Sequence, residues 1–258
     1  MPELPDLSAF SRNLRKKLGG KQVVKIIVGN SKKLNTTTAT LQKTLAGATI
    51  KTIERQGKEL HITFDTGDVL ALHLMLHGRL QLSEDGDEKP KYAIITLVFD
   101  DGSSFTMSDF QGAATPTLNP EPREVPDAAD ISATYLEEQA AGTRASIKNL
   151  LLNQKIILGI GNAYADEILW DAGIHPASAS NKIPPAKIKA LARSIKKVLK
   201  DAEKQILKTH PDIISGEIRD FMAVHNAHKK QSPTGGTIKT ETSGGRKTYF
   251  TDEQELFK

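Results

Sequence analysis

The spacing of hydrophobic residues divides the chain into a β-rich first half and a helical second half. Leu7, Phe10, Leu14 and Leu18 recur every three or four positions with basic residues between them, which predicts an amphipathic helix over residues 7–18. The next hundred residues contain short β-rich runs, several alternating between apolar and polar positions, with Gly or Asp at many breaks. They predict an all-β sandwich or barrel; the runs are VVKIIVG, ATIKTIERQ, ELHITF, VLALHLML, RLQLSE, YAIITLVFD and SSFTMSD.

The hydrophobic period becomes helical after a Pro-rich and acidic segment, residues 118–130, which is typical of a linker. The last part of the chain is polar, and its PTGG and SGG turns flank TIKTET, with GRKTYF as the second strand of a small hairpin. The helices predicted from the period cover residues 132–140, 143–153, 163–172, 184–208 and 214–224.

Composition narrows the class of protein. The chain has 258 residues, of which 38% are hydrophobic and 26% charged, values typical of globular domains. It contains no cysteine, which excludes disulfides and thiolate metal sites. No apolar run approaches the roughly 18 residues of a membrane helix, and the N-terminus lacks the pattern of a signal peptide. We therefore expect a cytoplasmic protein.

Positive charge is concentrated in one segment. Residues 144–208 hold 12 Lys and Arg against 5 Asp and Glu, whereas residues 121–138 hold six acidic residues and one basic residue. A basic segment in a protein of net charge +4 indicates a surface that faces a polyanion. A solvated helix face would give the same pattern, and charge alone leaves the two interpretations open.

Two short stretches suggest chemistry. In GIGNAYADE, Gly159 and Gly161 allow a tight turn, Asn162 can cap a helix that starts near Ala163, and Gly173 can end it. A helix N-terminus after a glycine turn attracts phosphate, although a bare GIGN is more often a plain turn. At the other stretch, MPELP, removal of Met1 would leave a secondary amine beside a carboxylate, which by itself is more often an ordinary terminus than a catalyst.

Several separated segments together resemble the formamidopyrimidine-DNA glycosylase / endonuclease VIII family over nearly the whole chain. They are PELP, RQGKELHITF, HLMLHGRLQL, LNPEP, GIGNAYADE and GGRKTYF, and they come in the family's order. The resemblance implies an α+β fold of two domains. An N-terminal β-sandwich with a leading helix would occupy residues 1–125. A helix–two-turn–helix domain would occupy residues 126–228, and a β-hairpin finger would follow it in residues 229–258. DNA would lie across the cleft between the two domains.

The resemblance assigns the catalytic residues Pro2, Glu3 and Lys58. The amine of the processed Pro2 would attack C1′ of the damaged nucleotide, and a Schiff base would form as the base leaves and the sugar opens. Glu3 would protonate the ring oxygen. Lys58 would contact the neighbouring phosphate and assist proton transfer. An α-amine has a pKa of roughly 8, so a useful fraction is neutral near pH 7. Retention of Met1 would convert this nitrogen into an amide.

The resemblance also assigns residues that bind DNA. Asn162, beside Gly161, and Arg246 at the finger tip would bind the phosphate backbone without reading sequence. Leu76, flanked by Met75 and His77, would fill the gap left by the flipped base, unless it is a strand core residue. We expect His73 to be structural. Phe110 and Gln111 would fill space near the base opposite the lesion.

The chain departs from the family in the finger, which usually carries four zinc cysteines. Ser232, Gly235, Thr251 and Gln254 stand near those positions. We therefore expect no metal, no cofactor and a zincless finger that packing and hydrogen bonds hold together.

Three further departures concern the lesion. Asp6 replaces a Glu and is one methylene shorter. SDFQGAA, residues 108–114, lacks the arginine that probes the opposite base, and residues 221–230 are too short to include the loop that caps 8-oxoguanine. Formamidopyrimidines, hydantoins, oxidised pyrimidines or abasic sites are therefore the expected substrates.

The sequence thus predicts a bifunctional DNA glycosylase and abasic-site lyase. Its partner would be double-stranded DNA with a damaged base or an abasic site. We expect a monomer that does not bind membranes. A non-catalytic damage-binding protein, or an abasic-site lyase with little glycosylase activity, remains open.

Overall fold

A computed structural model describes residues 1–88, 90–243 and 245–258, and of Ser243 it describes the backbone alone. The chain falls into two compact units. The first comprises Met1–Arg123 and Ile206–Glu217, and the second comprises Glu124–Gln205 and Ile218–Lys258. The boundaries predicted at 125/126 and 228/229 stay predictions. Among the described residues, no helix has both the length and the apolar character needed to cross a membrane.

The first unit contains two antiparallel four-stranded sheets. One has the strand order β1-β6-β7-β5 and the other β2-β3-β4-β8. The strands are β1 (Val23–Val28), β2 (Ile50–Gln56), β3 (Glu59–Phe64), β4 (Val69–His73), β5 (Arg79–Ser83), β6 (Ala93–Phe99), β7 (Ser104–Ser108) and β8 (Thr115–Leu118). Side chains from both sheets enter one hydrophobic core, which makes this unit the β-sandwich that the alternating runs predicted.

Two helices complete this core. Helix α1 (Leu4–Leu18) buries the four apolar residues of the predicted stripe, although it begins three residues earlier than predicted. Helix α2 (Thr38–Leu45) was not predicted. Thr37 caps it by accepting a hydrogen bond from Thr40, and Leu41 and Leu45 are buried. Strand β8 was also not predicted.

The segment Ile206–Glu217 belongs to the first unit because hydrogen bonds tie it there. The side-chain amide of Asn13 donates to the carbonyl of Ile213 over 2.8 Å, and the backbone N–H of Leu80 donates to Ser215 Oγ over 3.0 Å. The hydrophobic period alone had assigned part of this segment to a helix.

The second unit is built from helices and one hairpin. Its helices are α3 (Ala133–Ala141), α4 (Ile147–Leu152), α5 (Asn162–Asp171) and α6 (Pro185–Thr209), of which α6 ends within the segment that belongs to the first unit. Helix α5 ends as predicted. Gly173 has φ +63°, and its N–H and that of Ile174 donate to the carbonyls of Trp170 and Leu169. The hairpin consists of β9 (Lys239–Ser243) and β10 (Arg246–Phe250).

The helix predicted over residues 214–224 is wrong, and the helix predicted over 143–153 is shorter than expected. Gly216 adopts φ +94°, which interrupts a helix. The N–H groups of residues 223–225 donate to the side chain of Glu167, at 2.7–2.8 Å, rather than to carbonyls four residues earlier. Ser146 caps α4 by accepting from Asn149, so the residues before it stay outside the helix.

Candidate functional site

The candidate nucleophile Pro2 and its neighbour Glu3 are buried at the start of α1. Glu3 occupies the N-cap position, and its N–H donates to Asp6 Oδ2 over 2.9 Å while its own carboxylate accepts from the N–H of Asp6. This reciprocal capping fixes both side chains at the helix start. The shorter side chain of Asp6 therefore does reach the backbone of Glu3.

Met1 is present, and its ammonium group pairs with the carboxylate of Glu217 in the same unit. While Met1 is attached, the nitrogen of Pro2 is an amide, and its lone pair is delocalised into the carbonyl group and is not available for nucleophilic attack. Removal of Met1 would place the new terminal amine at the buried entrance to α1.

Lys58 lies in the tight turn between β2 and β3, and it is half-buried. Gly57 makes this turn with φ +57°. Arg55 ties the turn to α1, because its guanidinium donates to Ser8 Oγ over 3.0 Å and to the carbonyl of Gly57 over 3.2 Å. The structure thus ties the backbone beside Lys58 to α1, the helix that follows the Pro2–Glu3 pair. Sequence reasoning had missed Arg55.

His73 holds the loop that carries the candidate wedge. Its Nδ1 accepts a hydrogen bond from the N–H of Met75 over 3.1 Å. Burial lowers the pKa of His73 below its usual 6.5, the Glu59 carboxylate opposes this change, and the nearby Lys58 ammonium adds to it. The imidazole is therefore neutral near pH 7, as acceptance at Nδ1 requires, and its position agrees with the structural role expected for it.

Leu76 is not a strand core residue, because β4 ends at His73 and the side chain of Leu76 is 63% exposed. Met75 is 37% exposed and adopts φ +52°, which is unusual for a residue with a side chain. Gly78 closes the turn where a Cβ would lie 2.2 Å from the carbonyl oxygen of Leu74. An exposed large side chain at the tip of such a constrained turn is suited to insertion between bases.

A second loop contacts the loop that carries the candidate wedge. Phe110 is 60% exposed, and its ring centroid lies 4.7 Å from that of His77. The buried carboxylate of Asp109 organises this loop by accepting hydrogen bonds from the N–H groups of Gln111, Ala113 and Ala114, each at 2.8–2.9 Å. Asp109 was missed because a carboxylate next to an aromatic residue gives no sign of its backbone partners.

In the second unit, Gly161 occupies the N-cap position of α5 and Asn162 is the first helical residue, so the prediction that Asn162 caps the helix is wrong. The extended backbone of Gly161 starts the helix without a side-chain cap. Asn162 Nδ2 instead donates to the carbonyl of Lys247 over 2.8 Å. An amide nitrogen has two N–H donors, so one remains for a phosphate oxygen.

The turn before α5 is fixed by Gln154, which sequence reasoning missed. Its Oε1 accepts from the N–H of Gly159 over 2.9 Å, and its Nε2 donates to the carbonyls of Leu152 and Ile160. Gly159 adopts φ +100°, which confirms the predicted need for glycine in this turn.

A buried ion cluster joins α4, α5 and the hairpin. Lys148 Nζ lies 2.6 Å from Asp166 Oδ1 and donates to Thr248 Oγ1 over 2.8 Å. The other carboxylate oxygen of Asp166, Oδ2, forms a hydrogen bond with His225 Nδ1 at 2.7 Å and accepts one from the N–H of Tyr249 over 3.0 Å. Asp166 is completely buried, and its cluster holds β10 against α4 and against α5, the helix that begins with Asn162.

Arg246 is the first residue of β10 and is exposed, next to the hairpin turn, whose residue 244 lies outside the described part. The residues that stand near the zinc-ligand positions of the finger are not zinc ligands by chemical type. Ser232, Gly235, Thr251 and Gln254 supply hydroxyl, backbone and amide groups only. No group of three or more His, Cys, Asp or Glu side chains among the described residues could hold a metal ion.

The chain matches two family models in succession. Residues 1–115 match the formamidopyrimidine-DNA glycosylase N-terminal domain, and residues 118–210 match the formamidopyrimidine-DNA glycosylase H2TH domain. The formamidopyrimidine-DNA glycosylase of Bacillus subtilis is 32% identical over 271 residues, 97% of each chain. That of Geotalea uraniireducens is 29% identical over 268 residues, 98% of each.

Solved structures of a Lactococcus lactis protein, Fpg, share the fold. Its complex with DNA containing an abasic site has a TM-score of 0.89 and 25% identity, and the match covers 98% of this chain and 100% of the other. Its complex with DNA containing an oxidised pyrimidine has a TM-score of 0.87 and 26% identity over the same shares.

Proposed function

The chain belongs to the formamidopyrimidine-DNA glycosylase family, and we propose that Pro2 is its nucleophile. As a member it is a DNA glycosylase of base excision repair, with the abasic-site lyase activity that is general to the family. The observation that carries the assignment of Pro2 is its burial beside Glu3 at a capped helix start. Covalent catalysis needs an amine in a fixed position, and this helix start supplies one once Met1 is removed.

The proposed reaction begins with attack of the neutral Pro2 amine on C1′ as the bond to the damaged base breaks. Glu3 gives a proton to the ring oxygen as the sugar opens, and loss of the amine proton leaves a Schiff base between Pro2 and C1′. Elimination of the 3′ phosphate then cleaves the strand, and a second elimination releases the 5′ phosphate. Lys58 would hold the neighbouring phosphate and assist proton transfer.

The remaining site residues would hold the DNA. Asn162 and Arg246 would contact phosphates, and Leu76 with Met75 and His77 would replace the flipped nucleotide in the stack. Phe110 and Gln111 would lie near the orphaned base. The exposed positions of Leu76 and Phe110 support this assignment, because large apolar side chains that constrained loops hold in solvent are available to contact DNA.

The lesion preference is part of the proposal. Asp6, the loop 108–114 without arginine and the short segment 221–230 all favour formamidopyrimidines, hydantoins, oxidised pyrimidines or abasic sites over 8-oxoguanine. A panel of duplexes, each with one lesion and each opposite base in turn, tests this directly. Faster excision of 8-oxoguanine opposite cytosine than of any other lesion would overturn it. We also propose a monomer acting in the cytoplasm, which light scattering and cell fractionation would test.

The decisive experiment traps the covalent intermediate. Protein shown by mass spectrometry to lack Met1 is incubated with an abasic-site duplex and sodium borohydride, which reduces a Schiff base to a stable adduct. We expect an adduct with the native protein and none with Pro2→Gly. The matched control is Pro122→Gly, at an exposed proline in an irregular segment.

The other possible results of the trapping experiment favour the alternative functions. No adduct from the native protein lacking Met1 would indicate a non-catalytic damage-binding protein. An adduct with abasic DNA but none with any damaged base would indicate a lyase with little glycosylase activity. An adduct whose mapped peptide does not contain residue 2 would place the nucleophile elsewhere.

A further inference from the structure

Hydroxyl and indole donors converge on one carboxylate at the base of the hairpin. Ser232 Oγ donates to Glu253 Oε2 over 2.9 Å, and Thr251 Oγ1 donates to the same oxygen over 3.0 Å. The indole N–H of Trp170 points at it from 3.5 Å, a long contact. Thr234 Oγ1 lies 2.9 Å from Ser232 Oγ. We call these five residues the Glu253 cluster.

The cluster joins the two legs of the hairpin. Ser232 and Thr234 precede β9, whereas Thr251 and Glu253 follow β10. Ser232 and Thr251 are buried, so their hydroxyls need partners within the protein. The carboxylate therefore closes the open end of the hairpin, opposite the turn that precedes Arg246.

Gly236 lies close to the exposed side chain of Glu253 and bonds one of its partners. The N–H of Gly236 donates to Ser232 Oγ over 3.0 Å, and a Cβ at Gly236 would lie 2.2 Å from Glu253 Oε2. Next to the cluster, Gln254 Oε1 accepts from the N–H of Thr251, and Gln254 Nε2 donates to the carbonyl of Ile174. Two of the four positions where the resemblance places zinc ligands, Ser232 and Thr251, thus donate to a carboxylate.

The carboxylate is ionised at neutral pH. The hydroxyl of Thr234 has the largest effect in lowering the pKa of Glu253 below its usual 4.5, followed by that of Ser232; burial opposes them, and Thr251 and Trp170 add smaller effects. An ionised carboxylate only accepts hydrogen bonds, which suits a site where the neighbouring side chains donate.

We propose that Glu253 takes the place of the family's zinc ion as the centre of the finger and acts as a positioning residue for Arg246. Donors gather around an anion here, in the way that thiolates gather around a cation in a zinc finger. A two-stranded hairpin alone is marginally stable, and a slip of one residue would turn Arg246 to the opposite face. By joining the segments before β9 and after β10, Glu253 would hold the strand register in which Arg246 pairs with Ser243.

The first test reads the cluster without DNA. Trp170 is the chain's one tryptophan, so a nitrogen-15 NMR spectrum at neutral pH contains a single indole N–H resonance. We expect Glu253→Ala and Glu253→Gln to move this resonance and that of the Gly236 N–H. Asp252→Asn removes the same charge from an adjacent exposed carboxylate that pairs with Lys239, and it should leave both resonances in place. Unchanged resonances in both Glu253 variants would overturn the proposal.

The second test concerns Arg246 and rests on the proposed function. Glu253→Ala should weaken binding to an abasic-site duplex by about tenfold, roughly the loss of one charged contact. Arg246→Ala should weaken it equally, and the double variant should be no weaker than either alone. A general loss of stability would instead add to the effect of Arg246→Ala.

The outcomes separate the two proposals. Additive losses, or full affinity in Glu253→Ala while Arg246→Ala is weak, would overturn the positioning role. If Arg246→Ala binds as tightly as the native protein, the proposed phosphate contact fails and the positioning role fails with it. The NMR test still decides whether Glu253 is the centre of the finger. If it is, adding EDTA to the native protein should leave the Trp170 indole and Gly236 N–H resonances unchanged.

Discussion

His225 Nδ1 and Asp166 Oδ2 lie 2.7 Å apart within the second unit. The same carboxylate also meets the ammonium of Lys148, which is itself 5% exposed. One buried anion thus joins α4, α5, β10 and the segment after α6. A buried charge that loses its partner is costly, so the stability of this unit should depend strongly on Asp166.

Asp166→Asn should lower the free energy of unfolding by about 3–5 kcal/mol, because it leaves the buried ammonium of Lys148 without a counter-charge. Urea unfolding followed by circular dichroism measures the change. Asp171→Asn is the control, since Asp171 pairs with an exposed Lys197 on the surface and should cost less than about 1 kcal/mol. Equal losses in the two variants would contradict the assigned importance of the cluster.

Leu76→Ala should slow excision without affecting folding. The side chain is exposed, so its removal creates no cavity, but in its proposed role as the wedge its loss would remove the group that fills the stack in the flipped state of the DNA. We expect kcat/KM on a damaged duplex to fall by about 10- to 100-fold, a change of about 1.4–2.7 kcal/mol.

Two comparisons isolate this effect. The same lesion in single-stranded DNA needs no wedge and should show little change. Val24→Ala truncates an apolar side chain that is 51% exposed on β1, and it should leave excision from the duplex unaffected. A matching loss in Val24→Ala would show that the assay reports general damage to the surface.

Arg246→Ala should lower the salt dependence of DNA binding. Each phosphate contact contributes about 0.9 to the slope of log K against log salt, so the slope should become shallower by about that amount. Lys239→Ala is the control, because Lys239 pairs with Asp252 at 2.7 Å and its charge is already matched. Binding titrations at several salt concentrations measure both slopes, and an unchanged slope in Arg246→Ala would contradict the phosphate contact.

The pKa of Asp101 should depend on its ion pair with Lys21 at the surface. Hydrogen bonds from Lys21 and then Ser103 lower the pKa of Asp101 from 3.8 to about 2. Because the folded pKa lies below the unfolded one, this pairing stabilises the fold fully above about pH 4, and the contribution is lost as the pH falls towards 2. Lys21→Ala should move the NMR titration midpoint of Asp101 back towards 3.8, and no movement would show that Lys21 is not the cause.

Much of the fold could be predicted because local patterns dominate it. The period of Leu7, Phe10, Leu14 and Leu18 describes α1, and the glycines around Asn162 describe the turn before α5. Residues 214–224 also carry a helical period, but Gly216 and the distant carboxylate of Glu167 determine that segment. A hydrogen bond to a residue more than 50 positions away leaves no periodic signal in the sequence.

The candidate site followed the same division. The motif was enough to propose Leu76 as the wedge, whereas its position in a turn rather than a strand required the structure. The Glu253 cluster could not be predicted, because Ser232 and Glu253 are 21 residues apart and neither is unusual in a polar tail. Their relation depends on the hairpin that brings them together.

The Glu253 cluster also changes what oxidants can do to the finger. Thiolates that bind zinc are oxidised by peroxide to sulfenic and higher acids, and the metal is then lost. A carboxylate and its hydroxyl partners have no such reaction, and the chain contains no cysteine elsewhere. The hairpin that carries Arg246 therefore has no thiolate to lose under the oxidative conditions that damage DNA bases.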